Sequence, residues 1–374
     1  MDTRRSTRPR VVVAGLGDTG VLTAIHLAQR FDVTGISVKP GLVSGQELGT
    51  RLSRPEAWAR DYWLPFDRFR GLDEVRVLHG ALTSLDVAAR KVTVRHADGS
   101  TVPEEYDALI ISTGVANGFW RRPAFQSATE VDADLNAAHT RIADSASVLV
   151  VGGGAAAVAS AANIAGRWPD KRVDLYFPGE RALPQHHPRA WQRVRGRLAE
   201  LGVGLHPGHR AVVPDGFTCD RITNDPVQWQ GGQAAASADS VLWAIGRVRP
   251  NTSWLPPDLL DEHGFVRVRP TLQTPDHREI FAVGDVAATD PLRNSARNRA
   301  DRLLAHNVRA LFADRQLRDY RPRGRRWGSV LGVQPDGLEV FAPTGHAFRF
   351  PAWSIDRVLQ PWIVRRGIYH GVRR

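Results

Sequence analysis

Hydrophobic positions in this chain fall into two rhythms. Val11-Val12-Val13-Ala14 is an unbroken apolar run, β-branched and brief, which predicts a strand buried on both faces. A glycine-rich turn, Gly15-Leu16-Gly17-Asp18-Thr19-Gly20, follows, and a helical stretch runs from Val21 to Arg30. The same order returns about 137 residues later. Val148 to Val151 predicts a strand, Gly152-Gly153-Gly154-Ala155-Ala156-Ala157 a turn, and Val158 to Arg167 a helix. Asp32 to Val38 and Val173 to Phe177 predict the second strand of each unit. Strand–turn–helix modules in duplicate predict an α/β chain with two parallel sheets. Further on, Ala296, Ala300, Leu303, Leu304, Asn307 and Leu311 share one helical face, and Arg299, Arg302, His306 and Arg309 another. That helix is expected to begin near Arg293-Asn294-Ser295. No stretch approaches the roughly 18–20 unbroken apolar residues of a membrane-spanning helix.

The turns carry chemistry. Strand, GxGxxG, helix is the order in which a dinucleotide is bound. Gly15 permits the tight turn, Gly17 lets the backbone approach a pyrophosphate, and Gly20 lets the helix pack closely on the strand. Asp18 and Thr19 sit between them, where the helix N-terminus offers free N–H groups to phosphate. In the second unit Gly152, Gly154 and Ala155 take these places, with Ala157 at the third glycine position, which the fingerprint tolerates. The second strand of such a unit ordinarily ends in an acid that holds ribose. Here the first unit has Ser37, with Lys39 two residues on. Ser37 can bond a ribose hydroxyl and Lys39 can meet a phosphate; a solvated loop lysine is the other reading. The second unit reads Phe177-Pro178-Gly179-Glu180-Arg181. Arg181 suits a 2′-phosphate and Glu180 a ribose, so NADH and NADPH both stay open.

Composition narrows the class. The chain has 374 residues, enough for two or three domains, with 42% hydrophobic and 24% charged positions, as in a folded soluble protein. Its one cysteine, Cys219, excludes a disulfide framework, a paired-cysteine redox centre and a cysteine-rich zinc site; it reads as an ordinary small residue. His186-His187 lacks a third ligand and reads as a polar loop, so no metal is expected. Arg4-Arg5 precedes an apolar run too short for an export signal, which leaves the cytoplasm as the expected location.

The formal charge of +11 is uneven. Residues 1–10 carry net +3, residues 293–326 carry eleven arginines and three aspartates for net +8, and residues 361–374 carry four arginines. The remainder is mildly acidic. Such a balance suits nucleic acid, an anionic membrane surface or an anionic ligand, but no nucleic-acid motif accompanies it.

Three more motifs carry a resemblance. Tyr106-Asp107-Ala108-Leu109-Ile110-Ile111-Ser112-Thr113-Gly114 ends the first unit, a segment from Asp239 through Gly246 to Pro250-Asn251-Thr252 ends the second, and Ile280-Phe281-Ala282-Val283-Gly284-Asp285-Val286 follows. These resemble the ATG-like, GxxPN-like and A-x-GD motifs of flavoproteins with two dinucleotide-binding domains. The resemblance implies two Rossmann-like domains plus a small C-terminal α+β domain. It divides the chain into an FAD domain at 1–121 and 250–325, an inserted NAD(P) domain at 122–249, and a C-terminal interface domain at 326–374. It also implies FAD held by Gly15, Gly17, Asp18, Thr19, Gly20, Ser37, Lys39, Leu82, Thr113, Gly114, Gly284 and Asp285, with Asp285 on a ribityl hydroxyl. NAD(P)H would be held by Gly152, Gly154, Ala155, Ala157, Arg181 and Gly246.

Within these flavoproteins, the missing cysteine pair excludes the disulfide reductases. The run Gly80 to Asp86, then Val92-Thr93-Val94 and Asp98-Gly99, is similar to the β-meander of the apoptosis-inducing-factor and ferroptosis-suppressor group, with type II NADH dehydrogenases as cousins. That likeness implies an FAD-dependent oxidoreductase taking hydride from NAD(P)H and passing electrons to a quinone-like or other small-molecule acceptor. It also implies that the helix after Asp285 points its N-terminus at the flavin, with Asn294 and Arg297 as contacts; Asn294 or Ser295 as a simple helix cap is the other reading. One departure stands out: many relatives have a glutamate where this chain has Ala159.

Two other functions are carried. One is a dedicated biosynthetic flavoenzyme with a degenerate second site, its pocket shaped by the aromatic stretch Trp58 to Phe69. The other is a flavin-bound protein that binds nucleic acid or a partner without catalysis. In the tail, Trp353, Ile355, Trp362, Ile363, Ile368 and Tyr369 are interleaved with Arg357, Arg365, Arg366, Arg373 and Arg374. This suits peripheral contact with a membrane, or a cap over the flavin and a homodimer contact.

Overall fold

The computed structural model describes residues 8–118, 122–246, 248–293 and 299–373. Its first sheet is five-stranded and all parallel, in the order Ile280–Ala282, Ala108–Ile111, Arg10–Ala14, Asp32–Ser37, Val75–His79. The apolar run at Val11 sits in the middle, and its residues alternate between two cores. Val11 and Val13 pack with Val21, Ile25, Leu304 and Val308 on one face; Val12 and Ala14 pack with Tyr106, Leu109 and Leu259 on the other. A central parallel strand needs this two-sided apolarity. The edge strand Ile280–Ala282 returns to this sheet after the whole second sheet has been made.

Helix α1 spans Asp18–Ala28. It starts three residues earlier than hydrophobic periodicity suggests, because Gly17 is its N-cap and Asp18 to Gly20 already form its first turn. Short helices α2 (Leu48–Ser53) and α3 (Pro55–Tyr62) follow. Helix α4, Ala128–Ala143, opens with a capping box in which the Ser127 and Glu130 side chains each bond the other's backbone. The second sheet has the order Gly204–His206, Arg172–Tyr176, Ser147–Val151, Ser240–Trp243, again all parallel. Helices α5 (Ala155–Arg167) and α6 (Pro188–Glu200) cover one face of it.

The aromatic stretch at 58–69 is core rather than pocket. Trp58 and Trp63 pack with Val131 and Leu135 of α4, and Phe66 and Phe69 join the first core. None of them reaches the cleft described below.

The helix after the Gly284-Asp285 motif, α7, spans Ala300–Phe312. It begins later than the expected Arg293-Asn294-Ser295, because Arg299 has φ 59, a left-handed backbone that no continuous helix can cross. Asn294 and Arg297 lie outside the described residues. Its expected apolar face is buried at Ala300 and Leu304, and Asn307 ties the helix down by donating to the carbonyls of Thr271 and Arg318. The arginine face is divided: Arg309 donates to the carbonyl of His26 on α1, while Arg302 faces solvent.

The C-terminal part is a three-stranded antiparallel sheet, Gly328–Gln334, Gly337–Phe341 and Ala347–Pro351, followed by a wide helical segment at Ile355–Ile368. Its tail returns to the first unit. Arg70 N donates to Gly371 O, Arg373 N donates to Arg68 O, and the Arg373 guanidinium grips both oxygens of Asp73. Among the described residues no helix is long and apolar enough to cross a membrane.

Candidate cofactor and substrate cleft

Both fingerprints meet at one cavity of about 1070 Å³. Eleven of the twelve residues expected at FAD line it: Gly15, Gly17, Asp18, Thr19, Ser37, Lys39, Leu82, Thr113, Gly114, Gly284 and Asp285. Gly20 does not. It packs behind the turn, where an added Cβ would collide with the carbonyl of Gly15, so its glycine serves strand–helix contact. At Gly17 an added Cβ would touch no protein atom. No neighbouring side chain explains that glycine, and the open space above the α1 N-terminus fits a pyrophosphate.

The first fingerprint is linked to the loop beyond the second strand. Both carboxylate oxygens of Asp18 are engaged, one by Ser44 Oγ at 2.6 Å and the other by Gly45 N at 3.0 Å. Asp18 thereby holds the 44–46 segment against the cavity. Across the cavity, the TG and PN motifs bind one another. Thr113 Oγ1 donates to Asn251 O at 2.8 Å, Asn251 Nδ2 donates to Thr113 O at 2.9 Å, and Asn251 N donates to Gly114 O at 3.0 Å. This clasp extends the two-stranded crossover of Val115–Ala116 with Arg249–Pro250. Near Asp285, Arg293 donates to the Asp285 carbonyl at 3.0 Å and lies over the Phe265 ring.

Lys39 is largely buried. Its ammonium donates to the carbonyls of Arg122 and Ala124, and desolvation, with Arg51 nearby, lowers its pKa to about 8. A buried cation in a cationic surrounding is relieved when an anion arrives. Sequence reasoning missed most of that surrounding. Arg51, Arg122, Arg141, Arg221, Arg249, Arg293 and Arg326 also line the cavity, giving eight cations with Lys39 against Asp18, Asp134 and Asp285 among the described residues. Arg249 directly precedes Pro250-Asn251, and Arg122 and Arg293 each stand eight residues after a motif, at Gly114 and Asp285; Arg51, Arg141 and Arg221 have no such pointer.

The second fingerprint reaches the cavity through Ala155 alone; Gly152, Gly154, Ala157, Arg181 and Gly246 do not line it. Gly154, the N-cap of α5, is exposed, carries no side-chain cap and would give an added Cβ nothing to touch, so this helix end is also open to an anion. Arg181 is committed elsewhere, donating to the carbonyls of Leu183, Pro184 and His186. Ala159 is buried where α2 crosses α5: an added Cβ on Gly49 would strike its carbonyl, and Asn163 donates to both Ala159 O and Leu331 O. Of the histidine pair, His186 lines the cavity and His187 caps α6 by accepting from Arg189 N. Cys219 is buried among the apolar residues over the outer face of the second sheet.

The sequence profile of the pyridine nucleotide-disulphide oxidoreductases matches residues 9–307. Fe-regulated protein 8 of Mycosarcoma maydis is 30% identical over 63% of this chain and 58% of its own length. Ferroptosis suppressor protein 1 of Xenopus tropicalis is 26% identical over 84% of this chain and 83% of its own, and the type II NADH:quinone oxidoreductase Ndh of Mycobacterium tuberculosis is 28% identical over 58% and 53%. The chain spans about three-fifths of the length of three of the curated relatives it matches. Among solved structures, the sulfide:quinone oxidoreductase of Aquifex aeolicus superposes with a TM-score of 0.70 at 16% identity, over 97% of this chain and 92% of that one.

Proposed function

The chain belongs to the pyridine nucleotide-disulphide oxidoreductase family, and on that premise we propose that it takes hydride from NAD(P)H and delivers electrons to a quinone-like small molecule. It is an FAD-dependent oxidoreductase whose one cysteine, Cys219, cannot form the redox disulfide. One observation carries the reading. Asp18 and Ala155, the first residues of α1 and α5, open into the same cavity. Two dinucleotides seated on those helix ends would bring their redox rings together there.

FAD, when bound, supplies acceptance of hydride and its release as electrons. The protein supplies position and charge. The α1 N-terminus and the bare Gly17 backbone would receive the diphosphate, with Lys39, Arg51 and Arg122 as counter-charges. Asp285 would hold the sugar chain, and Arg293, fixed by the Asp285 carbonyl and Phe265, holds positive charge near that end of the cavity. Ala155 is what the second fingerprint presents to the cavity, and Ala159 is buried against α2, so on the α5 side orientation of nicotinamide rests on shape and not on a carboxylate.

A quinone is in the name of the mycobacterial relative, and the exposed tail suits access to a lipid-soluble one. Trp353, Val358, Trp362, Ile363 and Ile368 are exposed on one C-terminal segment beside Arg357 and Arg366. Such a surface lies well at a membrane interface.

Anaerobic mixing of the yellow holoprotein with NADH or NADPH tests the proposal. Rapid bleaching of the flavin band by one of them, and its return on adding a quinone, is expected. A protein that cannot be loaded with FAD, or a flavin that neither nucleotide bleaches, would overturn it.

A further inference from the structure

The cavity is larger and more basic than one FAD diphosphate calls for. Its cations outnumber its carboxylates by five among the described residues. The excess is not at the second fingerprint, whose Gly154 and Arg181 stand outside the cavity. Arg249 and Arg326 hold part of it, and another part lies on a wall built by the second unit. There, one face of α4 presents Ala137, Ala138 and Arg141, and the 221–222 loop adds Arg221 and Ile222. The one carboxylate on this wall, Asp134, already accepts from Gln126 at 2.7 Å and faces Arg122 at 3.8 Å. Among the described residues Arg141 makes no ion pair, and Arg221 pairs with the adjacent Asp220 at 3.6 Å while its guanidinium lies over the Phe217 ring. The floor is therefore small and apolar, and the rim is cationic.

From this we infer that the cavity has a second arm, against α4 and the 221–222 loop, that binds the electron acceptor, and that the acceptor is anionic: a flat apolar ring bearing a carboxylate, sulfonate or phosphate. The alanines and Ile222 cover the ring, and Arg141 and Arg221 meet the charge. Charge-assisted bonds from guanidinium to an oxyanion are about twice as strong as neutral ones, so charge decides which ring compounds stay. The inference rests on the oxidoreductase reading for the word acceptor, but the binding arm stands apart from it.

The test uses holoprotein without NAD(P)H. It is titrated with naphthalene-2-sulfonate and, separately, with the neutral naphthalene-2-sulfonamide, following the flavin spectrum and tryptophan fluorescence. The sulfonate should bind about ten-fold tighter or more, and its advantage should shrink when salt rises from about 50 to about 500 mM. Arg141→Gln and Arg221→Gln should each weaken the sulfonate by roughly three- to ten-fold and leave the sulfonamide unchanged, and Arg141→Lys should keep most of the preference. FAD content and melting temperature, read on every variant, identify one that has merely misfolded; for such a position the salt dependence of the wild type decides. Equal affinity for the two probes, or a preference that neither salt nor the substitutions alter, would overturn the inference. If the sulfonate binds as expected but no nucleotide bleaches the flavin, the hydride reading fails and the anion arm remains. If neutral and anionic naphthoquinones are reduced alike and bind alike, the reverse holds.

Discussion

Gly49 of α2 lies against the carbonyl of Ala159 on α5, so close that a single added Cβ would overlap it. Through that contact the first unit packs on the second. Asn163, one turn along α5, extends it to the C-terminal sheet by donating to Leu331 O. The position where many relatives have a glutamate is thus part of a three-way junction.

Gly49→Ala should therefore destabilise the whole molecule. Overpacking of this kind costs about 1–3 kcal/mol, enough to lower the melting temperature by several degrees and to slow flavin reduction. Thermal melts followed by flavin fluorescence measure it. An unchanged melt would show that α2 and α5 separate freely.

Lys39 gives a pH signature. Its folded pKa of about 8 lies below the ordinary 10.5, so between those values the unfolded chain holds a proton that the folded one has released. Stability of the cofactor-free protein should rise with pH across that window. FAD binding should run the other way, because a phosphate favours the protonated amine, and affinity should fall as pH passes above about 8. Lys39→Met should flatten both trends. FAD titrations and denaturant melts from about pH 7 to 10 read them; a wild type with no slope above pH 8 would contradict the assignment.

Asp18 should act as a latch for the 44–46 loop and not as a direct phosphate ligand, since both its oxygens are taken by Ser44 and Gly45. Asp18→Ala loses two bonds to a charged acceptor, each worth about 1.5–3 kcal/mol. It should weaken FAD retention by ten-fold or more in equilibrium dialysis, whereas Asp18→Asn should retain part of it. Tighter FAD binding by the alanine variant would mean that the carboxylate merely repels the diphosphate.

The Asn251 clasp predicts a coupled defect. Asn251→Ala leaves the Thr113 carbonyl without its donor, at a cost of about 1–3 kcal/mol. Because Asn251 ties the TG motif to the crossover strand, both melting temperature and the rate of flavin reduction should fall. A variant that only lost stability would limit the clasp to a structural role.

The C-terminal surface is tested by Trp353→Ser combined with Trp362→Ser. These rings are 64% and 58% exposed, so folding should be nearly unaffected. Co-sedimentation with vesicles containing anionic lipid should drop sharply and become less salt-sensitive only if Arg357 and Arg366 are also replaced. Equal sedimentation of wild type and variant would remove membrane contact from the proposal.

The sequence by itself determined the two strand–turn–helix units and most of the residues that line the first unit's side of the cavity. A tight turn, a bare backbone above a helix end and a buried parallel strand are local demands, met by glycines and β-branched residues within about twenty positions. Gly15 and Gly17 could be placed at the cavity for that reason, whereas Thr113 and Asp285 were placed there by the resemblance of their motifs. Tertiary structure decided the rest. Arg51, Arg141 and Arg221 come from a short helix, the far end of a long one and an irregular loop, and no spacing relates them; only the packing of α2, α4 and the second sheet brings them to one cavity. The same packing made core of the aromatics at 58–69, while Arg181 is committed within its own loop to the carbonyls of Leu183, Pro184 and His186. Charge in a sequence has a sum but no position, and the cavity acquires its cationic excess only when distant segments converge.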